Sequence, residues 1–384
     1  MRNRLSILSV WLSVSLTGVV SAQPLPTRSS ATDWPMFRGD AQNTGVASSS
    51  LPQSLSVQWK VQLGDATAST AAIVDGVVFI GADDGVLSAL DLETGETRWR
   101  YKTEEAIRSS PTVVDGTVIF GDQEGIVHAV DAKTGTGRWK FTTDGEIMSA
   151  AIPANGRIVF GSYDGSVYCL SQRDGSLQWK FETEGRVHGT PGVIDNHVLA
   201  AGCDEYLHVL RLSDGKSVRR IPMGSVSGVS AAIIGRRVYA GTYSHKTLGI
   251  DWKSGKIVWT YADPDREFPI MSSAAVTPEA IFVGGRDKRL RSLGAEKGEL
   301  LWSFVTKGRV DSSPVVVGNR VFVASADGTL YAVERATGKE RWRFETGAPI
   351  SASPAVAAGR LVIGNEDGMV YCFGKPSRTT HEGS

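Results

Sequence analysis

The residues of this 384-residue chain able to do chemistry are six histidines, three cysteines and a scatter of turn carboxylates. His128, His188, His197, His208, His245 and His381 show none of the paired spacing that a metal site needs. Cys169, Cys203 and Cys372 make no chelating or redox pair. Asp83-Asp84, Asp122, Asp164 and Asp327 fall in short glycine-bearing segments, where a side-chain oxygen that bonds nearby backbone shapes a turn. No nucleophile motif appears. What remains is a set of charges held at fixed offsets from a recurring glycine. Arg108, His188 and Asp311 stand thirteen residues before it, and Glu146, Arg186 and Arg309 fifteen before. Charges placed by a repeat suit recognition better than bond-breaking.

The recurring glycine ends a run such as VVFIG and falls at Gly81, Gly121, Gly161, Gly241, Gly284 and Gly364, with Ala201 and Ala324 in the same register. The steps are 40 residues except for one of 43. Eight units of this length, made of short alternating apolar runs, predict a β-propeller. Residues 111–140 read as one unit: Pro111–Val114 and Thr117–Gly121 flank the turn at Asp115-Gly116, Ile126–Asp131 follows, and Gly137–Thr142 closes it. No stretch has helical spacing. The predicted fold is all-β, an eight-bladed propeller of four-stranded antiparallel blades. Val57–Leu63 is an outer strand with no blade before it, and the last unit lacks one, so the N-terminal strand is expected to complete the last blade. Closure removes open sheet edges around the ring.

The outer strand of each unit carries an aromatic marker: Trp59, Trp99, Trp139, Trp179, Trp259, Trp302 and Trp342, with Arg219 in the remaining slot. A second aromatic usually follows two residues later, on the same sheet face. These tryptophans are expected to dock blades by packing near the Thr-Gly turn of a neighbour. Cys169 and Cys372 occupy a slot that holds alanine elsewhere and read as packing residues; Cys203 lies in a turn.

Lys plus Arg and Asp plus Glu number 41 each, which argues against the basic field of a nucleic-acid binder. Arg2 and Arg4, an apolar run over 5–20 and Val20-Ser21-Ala22 read as a signal peptide over 1–22. No Cys follows that run for a lipid anchor, and no other stretch reads as a membrane span. The organisation expected is a lead-in over 23–54, one propeller domain over 55–374 and a polar tail over 375–384. Localisation is then periplasmic or extracellular, as a monomer with no stable membrane span after signal cleavage.

Gly81-Ala-Asp-Asp-Gly85 through Asp91, Thr94-Gly95 and Trp99, repeated from Gly121 to Trp139, resembles the PQQ-type (quinoprotein) β-propeller repeat. The likeness spans about residues 57–374, and the lead-in Asp33-Trp-Pro-Met-Phe-Arg-Gly39 is similar to segments that open many exported bacterial propellers. The repeat specifies the fold far better than the function. The resemblance implies two alternatives. Quinoprotein dehydrogenases hold pyrroloquinoline quinone and Ca²⁺ in the channel under a lid of adjacent cysteines; propellers of the BamB type are non-catalytic. This chain has no adjacent cysteines and no long insertions, so the expectation is a binding scaffold with no catalytic residues, cofactor or metal. The alternatives are a PQQ/Ca-dependent oxidoreductase and a sensor of a small molecule or polysaccharide in the channel.

Irregularities in the repeat point to the candidate partner face. Glu205, His245 and Lys288 replace a turn glycine in consecutive units, and the one length change falls in Asp263–Ile270, which carries Arg266 and Phe268. Together with Arg108, Arg186, His188, Arg309 and Asp311, these residues are expected to engage a protein or peptide of the cell envelope.

Overall fold

The computed structural model describes residues 32–376; the expected signal peptide and nearly all of the tail lie outside the described residues. These residues form thirty-two strands, β1 to β32, in eight four-stranded sheets. The unit read over 111–140 is present as β6 (Thr112–Val114), β7 (Thr117–Gly121), β8 (Ile126–Asp131) and β9 (Gly137–Thr142), all antiparallel. Seven blades use consecutive strands. The eighth combines β30 (Ala355–Ala357), β31 (Arg360–Gly364) and β32 (Met369–Gly374) with β1 (Ser56–Gln62), in the register Ser56 to Gly374 and Gln62 to Met369. The expected eight-bladed ring, closed by its own N-terminal strand, is therefore the fold.

Burial falls off outward along each blade. In the first, β2 (Ala72–Val74) and β3 (Val77–Gly81) are wholly buried, whereas β5 (Thr97–Lys102) shows every second residue to solvent. The indoles dock the blades. Trp59 Nε1 donates to the Leu92 carbonyl of the next blade at 2.8 Å, and Trp179 to that of Leu212 at 2.8 Å. A Cβ on Gly95, whose φ is +76°, would meet the Trp59 ring at 2.8 Å, so the turn needs glycine both for its left-handed backbone and for the ring above it. Trp99, Trp139, Trp259 and Trp302 repeat this contact on Gly135, Gly175, Gly298 and Gly338. Trp342 stands at the seam, where no such turn follows, and packs edge-on against Phe373 at 5.4 Å. Arg219 lays its aliphatic stem near Gly255 and donates to the Lys253 carbonyl, leaving a cleft of about 260 Å³ lined by Val209, Val218 and Trp252.

Two further belts hold the inner ring. At one level of the innermost strands, a hydroxyl from seven of the eight blades accepts a main-chain N–H from the blade before it. Ser110 serves Thr70, Thr190 serves Ala150, Ser230 serves Thr190, Ser273 serves Ser230, Ser313 serves Ser273 and Ser353 serves Ser313, and Thr70 closes the circle on Ser353. The second belt is the lead-in. Ile73, Val113, Val193, Ile233, Val276 and Val316 hold one equivalent position in six blades. Their N–H groups donate to the carbonyls of Trp34, Pro35, Ala41, Gln42, Thr44 and Gly45 at 2.7–2.9 Å. In the third blade that position is Pro153, which has no N–H; there Met36 instead joins the apolar cluster of Ile152 and Val159. Ser49 Oγ accepts from Gly359 in the eighth blade. The lead-in thus lies across the ring at the ends of the innermost strands and forms a floor.

Candidate functional site: the open ring face and channel mouth

The innermost strands enclose a central cavity of about 170 Å³, into which Phe37 projects from the lead-in. Arg38 beside it is fully buried and donates to the Ala274 carbonyl at 3.1 Å. Burial drives its guanidinium down to about 9, the charge of Asp40 offsetting the desolvation only in part. The channel is therefore a cup, with hydroxyl-bearing walls and one open end.

At that end a repeated clasp joins neighbouring blades. The second residue after the marker glycine reaches the residue 25 positions on, which begins the next blade. Asp83 takes Arg108 at 2.8 Å, Arg286 takes Asp311 at 3.0 Å, and the Tyr163 hydroxyl is hydrogen-bonded to His188 Nδ1. Arg309 adds a second guanidinium to Asp311 at 3.0 Å, and Arg186 lies over the Tyr163 ring at 5.1 Å. Burial lowers the His188 pKa and pushes the Tyr163 hydroxyl up to about 12, so this contact joins a neutral imidazole to a neutral phenol.

Arg108, His188 and Asp311 line the mouth, with Arg186 and Arg309 alongside. His245, Arg266 and Phe268 gather separately, in a small cleft with Asp263, Asp287 and Arg291. Arg291 is buried and bridges Asp263 at 2.7 Å and Asp287, so the inserted connection is anchored by an ion pair that breaks the repeat. Glu205, His245 and Lys288 adopt the left-handed φ values of the glycines they replace, +68°, +54° and +66°. Glu205 and Lys288 line neither the mouth nor this cleft.

Sequence reading did not foresee what the turn carboxylates hold. Asp122 bonds His128 at 2.8 Å, Asp204 bonds His208 at 2.7 Å, and Asp164 and Asp327 bond Tyr168 and Tyr331. The signal was a His, Tyr or Arg on the third strand seven residues past the marker. The floor-side cavity beneath the lead-in, about 650 Å³ with Val74, Phe79 and Val113 in its wall, was also missed. Its rim arginines Arg98 and Arg138 are held by Asp91 and Asp131 at 2.7 Å.

A family model described as outer membrane protein assembly factor BamB matches residues 52–150, 123–286 and 286–375. The chain belongs to this family. Among curated protein sequences none matches it. Solved structures with the same fold include BamB from Moraxella catarrhalis, 21% identical with a TM-score of 0.71, over 85% of this chain and 100% of that one. Quinohemoprotein alcohol dehydrogenase from Comamonas testosteroni is 16% identical with a TM-score of 0.77, over 92% of this chain and 82% of that one. The computationally designed Ika8 protein is 18% identical with a TM-score of 0.73, over 86% and 99%. At these identities the likeness establishes the fold for this chain, and the neighbours include both a BamB and an alcohol dehydrogenase.

The residues at the mouth do not fit a quinone–calcium site. The clasp carboxylates there are already taken, Asp311 by two arginines and Asp83 by Arg108. Among the described residues no group of three His, Cys, Asp or Glu converges on a point, and the three cysteines are unpaired. Burial pushes the Cys169 and Cys372 thiols up to about 12, which suits inert packing groups. No helix among the described residues is long and apolar enough to cross a membrane.

Proposed function

We propose that this chain is an exported binding scaffold, without catalysis of its own, that holds a protein or peptide of the cell envelope on the open ring face. The observation that carries this reading is the difference between the two faces. The lead-in covers one. The other presents Tyr243 and Phe268, 40% and 48% exposed, beside the charged clasps. Exposed aromatics next to arginines are the residue types that dominate binding energy at interfaces. The family description, with its reference to outer membrane protein assembly, makes an envelope protein the natural partner. The cup at about 170 Å³ is smaller than the roughly 300–1,000 Å³ of small-molecule sites, which favours surface binding over a channel ligand.

The test is a photo-reactive phenylalanine analogue at position 268 in the producing cell, with the same analogue at Lys133, on the covered side, as control. One discrete adduct from 268 and none from 133 is expected. Equal labelling from both positions would sink the ring-face reading. Titration with PQQ and Ca²⁺ is expected to give no saturable heat; stoichiometric uptake would restore the oxidoreductase alternative.

A further inference from the structure

Every blade ends in an outer strand whose far edge has no partner. Such edges invite strand addition, and proteins commonly block them with charge or proline. On the solvent-facing side, β29 (Glu340–Glu345) carries Arg341, Arg343 and Glu345, and β5 carries Arg98, Arg100 and Lys102. The outer strand of the fourth blade, β17 (Ser217–Pro222), has Arg220 and Pro222. Two adjacent blades depart from this. β21 (Lys256–Ala262) offers Val258, Thr260 and Ala262, and β25 (Leu300–Val305) offers Leu301, Ser303 and Val305. Val258, Leu301 and Val305 are 41%, 49% and 58% exposed. β25 contains no charge and no proline anywhere along its length.

We infer that the outer edge of the fifth and sixth blades, centred on β25, is a strand-addition site for an extended, uncharged segment of a partner polypeptide. Main-chain hydrogen bonds to the free edge would supply affinity, and alternate apolar side chains would pack on Leu301 and Val305. β25 itself brings no charge, and Arg289 on the neighbouring strand is already engaged, donating to Ser303 Oγ at 3.1 Å, so the exposed Leu301 and Val305 suit an uncharged occupant. Area decides against a second copy of the ring. A six-residue edge is about 20 Å long, and pairing two rigid rings along it falls far short of the roughly 1,200–2,000 Å² that stable complexes bury. This surface lies on the ring's circumference and does not depend on the ring-face reading above.

The probe is a fluorescent peptide with a Thr-Val-Thr-Val-Thr-Val core between terminal lysines, and a control with Glu in place of Val. Anisotropy is expected to show saturable binding of the first alone, with slowed amide exchange confined to Leu300–Val305. The combined Leu301→Arg, Ser303→Arg, Val305→Glu protein carries the face that β29 already tolerates, so it retains its fold. It is expected to bind at least about tenfold more weakly, while Phe268→Ala with Arg266→Ala binds unchanged. Equal affinity in the charged-edge protein, or protection elsewhere, would overturn the inference. So would a dimer that the charged edge disperses without any peptide uptake.

Discussion

The Thr190 hydroxyl accepts the main-chain N–H of Ala150 from the preceding blade at 2.9 Å, yet Ala150 has no hydroxyl with which to serve Ser110 in turn. The belt of inner hydroxyls is therefore complete except at one joint, and that joint faces the channel, where an added oxygen has room. Ala150→Ser is expected to raise stability by about 0.5–1.5 kcal/mol, the net worth of one hydrogen bond. Ser313→Ala opens a second gap beneath a buried N–H and is expected to cost about 1–3 kcal/mol. Denaturant unfolding of the two proteins beside the parent checks both; equal midpoints would show that the belt carries no stability.

Arg219 occupies the slot that tryptophan fills in the other seven blades, with its stem over Gly255 and a cleft beneath. Arg219→Trp is expected to fill that cleft and gain about 1–2 kcal/mol from buried ring surface. Trp179→Ala removes a buried indole together with its bond to Leu212 and is expected to lose about 3–5 kcal/mol. Melting temperatures moving in the same direction for the two substitutions would refute the docking role.

Glu205, His245 and Lys288 hold left-handed turns that glycine holds in the other blades. Each to-glycine substitution is expected to stabilise the ring by about 1 kcal/mol, because the Cβ penalty disappears. If these side chains are kept for contact with a partner, the triple substitution yields a more stable protein with weaker crosslinking from position 268. Greater stability with undiminished crosslinking would mean that the three serve no partner.

His188 is held neutral by burial, its pKa below the ordinary 6.5. The unfolded chain therefore takes up a proton more readily than the folded one. The resulting stability is present above about pH 6.5 and is lost as pH falls towards the lower folded value. His188→Gln keeps a side chain that can accept from Tyr163 and removes the titration. Stability measured from pH 7.5 to 5.5 is expected to fall more steeply in the parent than in this variant; parallel slopes would exclude His188 as a source.

The ring was legible because its signal is repeated. A marker glycine, a turn glycine and a tryptophan per unit placed β6 to β9 almost to the residue, and the unpaired strand at each end of the chain required the seam at β1 and β32. The lead-in was read only as a segment over 23–54 ahead of the ring, since its six carbonyl acceptors leave no mark in side-chain pattern. The faint trace is Pro153, whose missing N–H coincides with the place where the lead-in breaks step. Offsets also located the charges at the mouth, but not their commitments. Arg108 and Asp311 read as members of a partner face, and geometry ties them to Asp83 and Arg286. The uncharged edge of β25 was open to inspection in the sequence. It went unread because the tryptophans in the same strands drew attention to the opposite side.

The floor has a consequence for how the molecule comes to be finished. Its segment precedes every blade in the chain, yet its hydrogen bonds run to Ile73 in the first blade, Val316 in the seventh and Gly359 in the eighth. A ring with a missing or misplaced blade offers the wrong number of donors at the wrong intervals. A stretch synthesised before any blade can thus settle only after the last blade exists, and its docking amounts to an inspection of the completed circle.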